Sequence, residues 1–352
     1  MSYKARMQEK IEALKHKSEV FILAIETSCD ETSIAVIKNG REVLSNVVST
    51  QIDIHARFGG VVPEVASRNH TMAILNVLEE SLTKANLTIE QIDAIAVTYG
   101  AGLIGALMVG VNFAKALAFA NDLPLLAVNH IKGHIAASYL AFSDLTPPFV
   151  CLIVSGGHTA ILNVTDYINH TKIGSTLDDA VGEAYDKVAR ILNLGYPGGP
   201  IIDKLAKQGK NNIQFVTRDK LAKTNNFSYS GLKTAVINYV HKLKQNKQPI
   251  IVEDICASFQ ASAIDVLIEK VIRTAKKLSS NKIVLAGGVA ANSYLRERID
   301  ARCKEEGLQA YYPPKAMCTD NAAMIGSQAY YNLINEAGIA DLSLTPKPSL
   351  PL

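Results

Sequence analysis

The sequence predicts an α/β protein of two related lobes, from its length, its alternation of strands and helices, and one recurring turn. Single hydrophobic cores stop growing near roughly 250–300 residues, and the chain has 352. An apolar strand followed by a turn of small residues occurs at the start, in the middle and near the end. At the start, residues 21–25 form the strand, Glu26-Thr27-Ser28-Cys29-Asp30 the turn and 33–37 the next strand. Asn39-Gly40 is a strong hairpin signal, with 42–48 returning. Residues 71–85 have helical periodicity, 94–98 read as a buried strand, and Gly100-Ala101-Gly102 opens a glycine-punctuated helix to Ala120. A short strand at 125–128 leads into His130. After the break at Pro147-Pro148 the pattern recurs: strand 149–154, turn Ser155-Gly156-Gly157-His158-Thr159, strand 160–164. A third version has strand 282–286, turn Gly287-Gly288 and helix 289–298. The expected layout is a charged extension at 1–20, lobe I at 21–143 completed by a C-terminal helix at about 320–337, and lobe II at 147–318. The Pro- and Ser-rich residues 342–352 are expected to be a loose tail.

Composition narrows the class. A hydrophobic fraction of 48% and a charged fraction of 20% are ordinary for a globular protein. The longest apolar run, 103–117, is interrupted by Gly105, Gly110, Asn112 and Lys115, so it suits a buried helix better than a membrane span of about 20 apolar residues. The first 19 residues mix Glu9, Glu12 and Glu19 with lysines and hold a single arginine, Arg6. That is neither a secretory nor a transit pattern, and the cytoplasm is the expected compartment. Five cysteines, an odd number without a CxxC pair, argue against a disulfide framework or a cysteine zinc site, and four of them read as core thiols. Net charge is only +3, yet residues 203–247 hold ten Lys/Arg against Asp203 and Asp219. Such a stretch either attracts a polyanion or coats a helical surface with lysines.

Three small-residue turns after strands let backbone N–H groups approach an anion, and a following helix adds its N-terminal potential. Neither the P-loop nor the GxGxxG pattern is present. His130 and His134, at i and i+4, share one helix face and can share a metal, although such pairs also arise without one. The zincin motif needs a glutamate after its first histidine; here that residue is Ile131. A third, oxygen ligand must come from elsewhere. Asp320, in Cys318-Thr319-Asp320-Asn321, is one of many candidates and, taken alone, reads rather as a helix N-cap. Asp178, Asp179, Glu183 and Asp186 form an acid-rich helix start suited to ribose hydroxyls or to capping, and Tyr196-Pro197-Gly198-Gly199-Pro200 is a rigid turn open to close approach.

Taken in order, these segments resemble the universal tRNA threonylcarbamoyladenosine transferase family, once described as O-sialoglycoprotein endopeptidases, in its bacterial and organellar branch. The resemblance rests on Ile25-Glu-Thr-Ser-Cys-Asp30, Gly59-Gly-Val-Val-Pro-Glu64, Ala66-Ser-Arg-Asn-His70, Gly100-Ala-Gly-Leu103, Asn129-His-Ile-Lys-Gly-His134 and Val154-Ser-Gly-Gly-His158. It continues through 178–187, Tyr196-Pro-Gly-Gly-Pro200, Phe227-Ser-Tyr-Ser-Gly-Leu-Lys-Thr234, Leu285-Ala-Gly-Gly-Val-Ala-Ala-Asn292 and Thr319-Asp-Asn321. It covers about 21–335; Tyr185 and Tyr229 stand where the family often has Phe.

The resemblance implies an actin/Hsp70/sugar-kinase-like (ASKHA) fold with duplicated lobes and an interlobe nucleotide and metal cleft. It implies an acyltransferase that moves the threonylcarbamoyl group of threonylcarbamoyl-AMP to N6 of the adenosine just 3′ of the anticodon, releasing AMP. The tRNAs are those reading ANN codons. One divalent metal, iron or zinc, is implied on His130, His134 and Asp320. Ile153, Val154, Ser155, Gly156, Gly157, Asp186, Gly199 and Asn292 are implied around the adenylate, with Asp203 as a further contact. Asp30 and Glu31 are the implied acids of the first turn, and Asp30 is the candidate acceptor of the N6 proton. Implied partners are an inactive paralogue of the same fold and a small P-loop ATPase in bacteria, or a homodimer in organelles; the glycine-rich helix 103–120 is a candidate contact. A kinase or ATPase of the same fold, a metalloprotease and a nucleotide-binding scaffold are the rival readings.

Overall fold

Strict alternation in buried strands builds the first unit. The computed structural model describes residues 3–215 and 221–350; Arg218, Asp219 and Lys220 of the basic stretch lie outside them. The chain forms two compact units, Met1–Thr146 with Asp166–Asn169 and Thr319–Leu352, and Pro147–Thr165 with His170–Cys318. Helix α1 (Tyr3–Lys15) buries Met7, Ile11 and Leu14, at helical spacing, so the charged extension belongs to the first unit. Its Arg6 and Lys10 pair with Asp122.

Strands β1 (Phe21–Glu26), β2 (Glu31–Lys38) and β3 (Glu42–Thr50) form the antiparallel meander. Asn39 (φ 51°) and Gly40 (φ 72°) make the left-handed turn that their sequence signals. After α2 (Ile52–Ala56), helix α3 (Pro63–Ala85) starts earlier than residue 71 because Pro63 supplies its first turn. Then come β4 (Ala94–Gly100), α4 (Ile104–Ala120), β5 (Leu125–Asn129) and α5 (His130–Ala141), with β4 parallel to both β1 and β5. Ile22 and Ala24 face one core, Leu23 and Ile25 the other; α3 and α4 cover the second. Gly105 and Gly110 of α4 face inward, against Ser67 and Thr27.

The second unit repeats this plan. Its strands are β6 (Phe149–Val154), β7 (Thr159–Val164) and β8 (His170–Ser175), followed by α6 (Val181–Ile191), α7 (Gly198–Ala206), α8 (Ser230–Gln245) and α9 (Val252–Lys277). Strand β9 (Lys282–Ala286), α10 (Ser293–Glu306) and β10 (Gln309–Tyr311) complete it, giving the order β10-β9-β6-β7-β8. Helix α11 (Ala322–Ile334) and β11 (Ile339–Ala340) return to the first sheet, ordered β11-β5-β4-β1-β2-β3. Leaving β11 aside, the two orders and strand senses coincide, so the recurring turn marks a duplicated architecture. The helix expected at 289–298 is divided: Gly288–Ala291 is a 3-10 turn, and α10 starts after its N-cap Asn292.

The tail is not loose. Lys347 N donates to Tyr99 O, Gly102 N to Pro348 O, and Lys115 Nζ to Leu344 O. These pairings fasten it over the turn after β4 despite its Pro-rich composition.

Asp178 does not cap its own helix. Its carboxylate accepts from Tyr229 N (2.7 Å), Ser230 N (3.3 Å), Ser230 Oγ (2.8 Å) and Ser228 Oγ (2.5 Å), gathering the start of α8. Burial opposes ionisation, but these donors outweigh it and hold the carboxyl below the ordinary value of 3.8. Its stabilisation is therefore complete above that value and fades as pH falls through the lower folded-state value. Asp178→Ala is expected to lower the chemical stability of the second unit by about 1–2 kcal/mol. Urea midpoints at pH 7 and pH 3 check this; an equal loss at both would exclude the ionised cap.

Candidate metal centre and nucleotide turns

Asn129 ends β5 and caps α5, its Oδ1 accepting from Ile131 N at 2.9 Å and Lys132 N at 3.4 Å. The cap makes His130 the first helical residue and puts His134 one turn further on the same face. Their rings meet edge to face, 4.6 Å between centroids. Asp320 precedes α11, but the cap there is Asn321, whose Oδ1 accepts from Met324 N at 3.1 Å. The N-cap reading of Asp320 is thus replaced, and its Oδ1 lies 3.5 Å from His130 Nε2 and 3.2 Å from His134 Nε2. One donor atom from each of the three residues lies within 4.8 Å of the others.

The donors suit a divalent cation: two imidazole nitrogens and one carboxylate converge. The electrostatics agree. Burial disfavours the His130 imidazolium, yet Asp320 and Glu26 outweigh it and raise the group to about 9. Burial, then Asp320 and Asp30, push the Glu31 carboxyl up to about 10. Acids crowd this turn, and a cation would relieve them.

Both implied acids of the first turn are in place. Asp30 is buried and Glu31 half-buried, and Thr50 Oγ1 donates to Glu31 Oε1 at 3.3 Å. The turn is braced by Leu103 N donating to Ser28 O at 2.8 Å and by His70, whose Nε2 is 3.0 Å from Cys29 O.

In the second unit the turns at 155–157 and 287–292 follow the C-terminal ends of the parallel strands β6 and β9, where ligands of α/β sheets bind. Ile153 and Val154 have fully buried side chains, so only their backbone can face a ligand. Gly156 and Gly157 have open space where a Cβ would point, and Gly182 at the start of α6 packs on Ser155 O. Asp186 Oδ1 accepts from Gly198 N (2.8 Å), tying α6 to the turn that carries Gly199. Asp203 accepts from Ser293 N and Oγ, and Asn292 Nδ2 donates to Gln260 Oε1 at 2.8 Å. Each candidate therefore sits on this linked set.

Two supporting residues escaped the sequence reading in their roles. Glu26 is fully buried beneath His130, and His70 props the acidic turn. The available signal for Glu26 was an acid ending an otherwise apolar strand.

Duplicated sheets with glycine turns at their strand ends define a protein of the actin/Hsp70/sugar-kinase-like fold, here with a His/His/Asp cluster. Solved structures support the fold: HypF of T. kodakarensis aligns with TM-score 0.61 at 15% identity over 90% of this chain and 48% of that one. A ROK hexokinase from Thermus thermophilus aligns with TM-score 0.51 at 12% identity over 90% of this chain and 100% of its own. The family model for tRNA N6-adenosine threonylcarbamoyltransferase matches residues 42–327. A relative of that name from Clostridium perfringens is 54% identical over 94% of this chain and 98% of its own length. Another, from Clostridioides difficile, is 52% identical over 95% and 99%. The chain belongs to the tRNA N6-adenosine threonylcarbamoyltransferase family.

Proposed function

We propose that the protein transfers the threonylcarbamoyl group of threonylcarbamoyl-AMP to N6 of the adenosine just 3′ of the anticodon in tRNAs reading ANN codons. The observation that carries this reading is the His130, His134 and Asp320 cluster on a kinase-like fold. A kinase or ATPase of this fold has no use for the two imidazoles, and Ile131 leaves a zincin-type protease without its base.

His130, His134 and Asp320 would hold one divalent ion per subunit, iron in preference to zinc, supplying Lewis acidity to the substrate's oxygens. In the turn after β6, Ser155 N is held by His158 O, so Gly156 and Gly157 offer their backbone N–H groups to the phosphate, with α6 starting behind the turn. Asp186, Asp203 and Asn292 position the nucleoside beside Gly199. N6 attacks the carbamoyl carbon, a C–N bond forms, and the bond from that carbon to the phosphate oxygen breaks. The electron pair leaves on AMP. Asp30 takes the N6 proton, with Glu31 beside it; normal turnover in Asp30→Ala at saturating substrate would remove it from that role.

The basic stretch supports tRNA as partner: Lys204, Lys207, Lys210, Lys242, Lys244 and Lys247 are exposed, whereas Lys233 is paired with Asp179. A protein partner is supported by exposed Met72 and Leu75 on α3 and Ile104, Met108 and Phe119 on α4. We assign this face to the inactive paralogue of the same fold, with the P-loop ATPase as a third component; a homodimer is the organellar alternative. Among the described residues no helix is long and apolar enough to cross a membrane, in keeping with work on tRNA in the cytoplasm.

The test is to incubate the protein and its partners with threonylcarbamoyl-AMP and unmodified tRNA, then seek the modified nucleoside by mass spectrometry. Product is expected. None, with intact tRNA and all partners present, would overturn the reading and make ATP turnover the next measurement.

A further inference from the structure

We infer that Glu26 is a positioning residue of the metal centre, holding His130 in the tautomer that carries its hydrogen on Nδ1 and its lone pair on Nε2. The inference rests on the metal reading above. Glu26 ends β1 and is fully buried, a place where a carboxylate needs hydrogen bonds to every side. Ser28 N donates to Oε1 and Thr98 Oγ1 to Oε2, each at 2.5 Å. Oε2 also faces His130 Nδ1, at 3.2 Å. A carboxylate only accepts, so the ring nitrogen facing it must bear the hydrogen. Ser28 Oγ also lies 3.1 Å from Nδ1, but a hydroxyl donates or accepts to suit and dictates no tautomer. Nε2, on the Asp320 side, is then the nitrogen that would give up its proton to a metal.

The two histidines are unequal in this respect. His134 Nδ1 is buried with no hydrogen-bond partner among the described residues, so no acceptor holds that nitrogen. Metal-bound histidines ordinarily hold their second nitrogen to a carboxylate or carbonyl, and losing that partner weakens binding about 10–100-fold. Glu26→Gln keeps the volume but breaks the logic. Either its amide N–H₂ faces Nδ1 and imposes the wrong tautomer, or it confronts the Ser28 N–H.

Metal-free wild type, Glu26→Gln, Glu26→Asp and Ser28→Ala should be titrated with Co²⁺ alone and Zn²⁺ alone against a chromophoric chelator. The visible Co²⁺ spectrum and the metal-free thermal midpoint are recorded beside each titration. The expected result is affinity about 10–100-fold weaker in Glu26→Gln with an altered Co²⁺ spectrum, and a smaller loss in Glu26→Asp, which remains an acceptor. A structural role alone predicts the reverse order, because glutamine preserves the packing. Equal affinity in wild type and Glu26→Gln would overturn the inference while leaving the metal reading intact. Wild type that binds neither ion would overturn both. If Glu26→Gln does not fold, a greater loss in Ser28→Ala than in Glu26→Asp overturns it.

Discussion

His134→Ala is expected to lower transfer on the order of a thousandfold, roughly 4 kcal/mol of transition-state stabilisation. The side chain is almost wholly buried and directs Nε2 at Asp320 from 3.2 Å. Its removal leaves two protein ligands, too few for a firmly held ion. Alanine is the best helix former, so α5 should persist, and His134→Gln keeps the volume where a cavity is a concern. The check is single-turnover transfer together with metal content. Turnover near the wild-type rate in a variant shown to hold no metal would remove the ion from the reaction.

Gly287→Ala should destabilise the second unit by about 2–4 kcal/mol. Gly287 has φ +94°, where a side chain is strained, and its Cβ would stand 2.5 Å from Val154 O. The same atom would press Ser155 Cβ at 3.2 Å, so the turn of Ser155, Gly156 and Gly157 shifts with it. Gly199→Ala is the contrast, having nothing within 4 Å of its Cβ and a helical position in α7. Its stability should hold or rise slightly, so any lost affinity for the adenylate would report close ligand approach. Urea unfolding and adenylate titration of both variants decide; wild-type stability in Gly287→Ala would refute the strain argument.

What could be read from sequence followed the strength of local signals. Asn39-Gly40 requires left-handed backbone, and the hairpin is there. His130 and His134 lie one helical turn apart, so their shared face was legible once a helix was assumed. Asp320 was not legible from spacing, because α11 meets α5 only in three dimensions; resemblance supplied it. Helix α9 escaped because it is buried around its circumference, from Ile255 and Phe259 to Lys270 and Thr274, leaving no one-sided stripe. The tail misled through composition: Pro and Ser suggest looseness, while its backbone pairs with Tyr99 and Gly102. Glu26 was hidden by the apolar run it ends.

The return of α11 and β11 to the first sheet fixes an order of events during synthesis. That unit's core joins Leu14 and Val20 to Met324, Ile325 and Leu333, so it cannot close until the final stretch of chain has emerged. The second unit, nearly continuous from Pro147 to Cys318, has its full core available earlier. A nascent chain stopped between the two stages would carry a finished second unit and both histidines, but no Asp320. Assembly of the His130, His134 and Asp320 cluster then waits for the segment that follows the second unit.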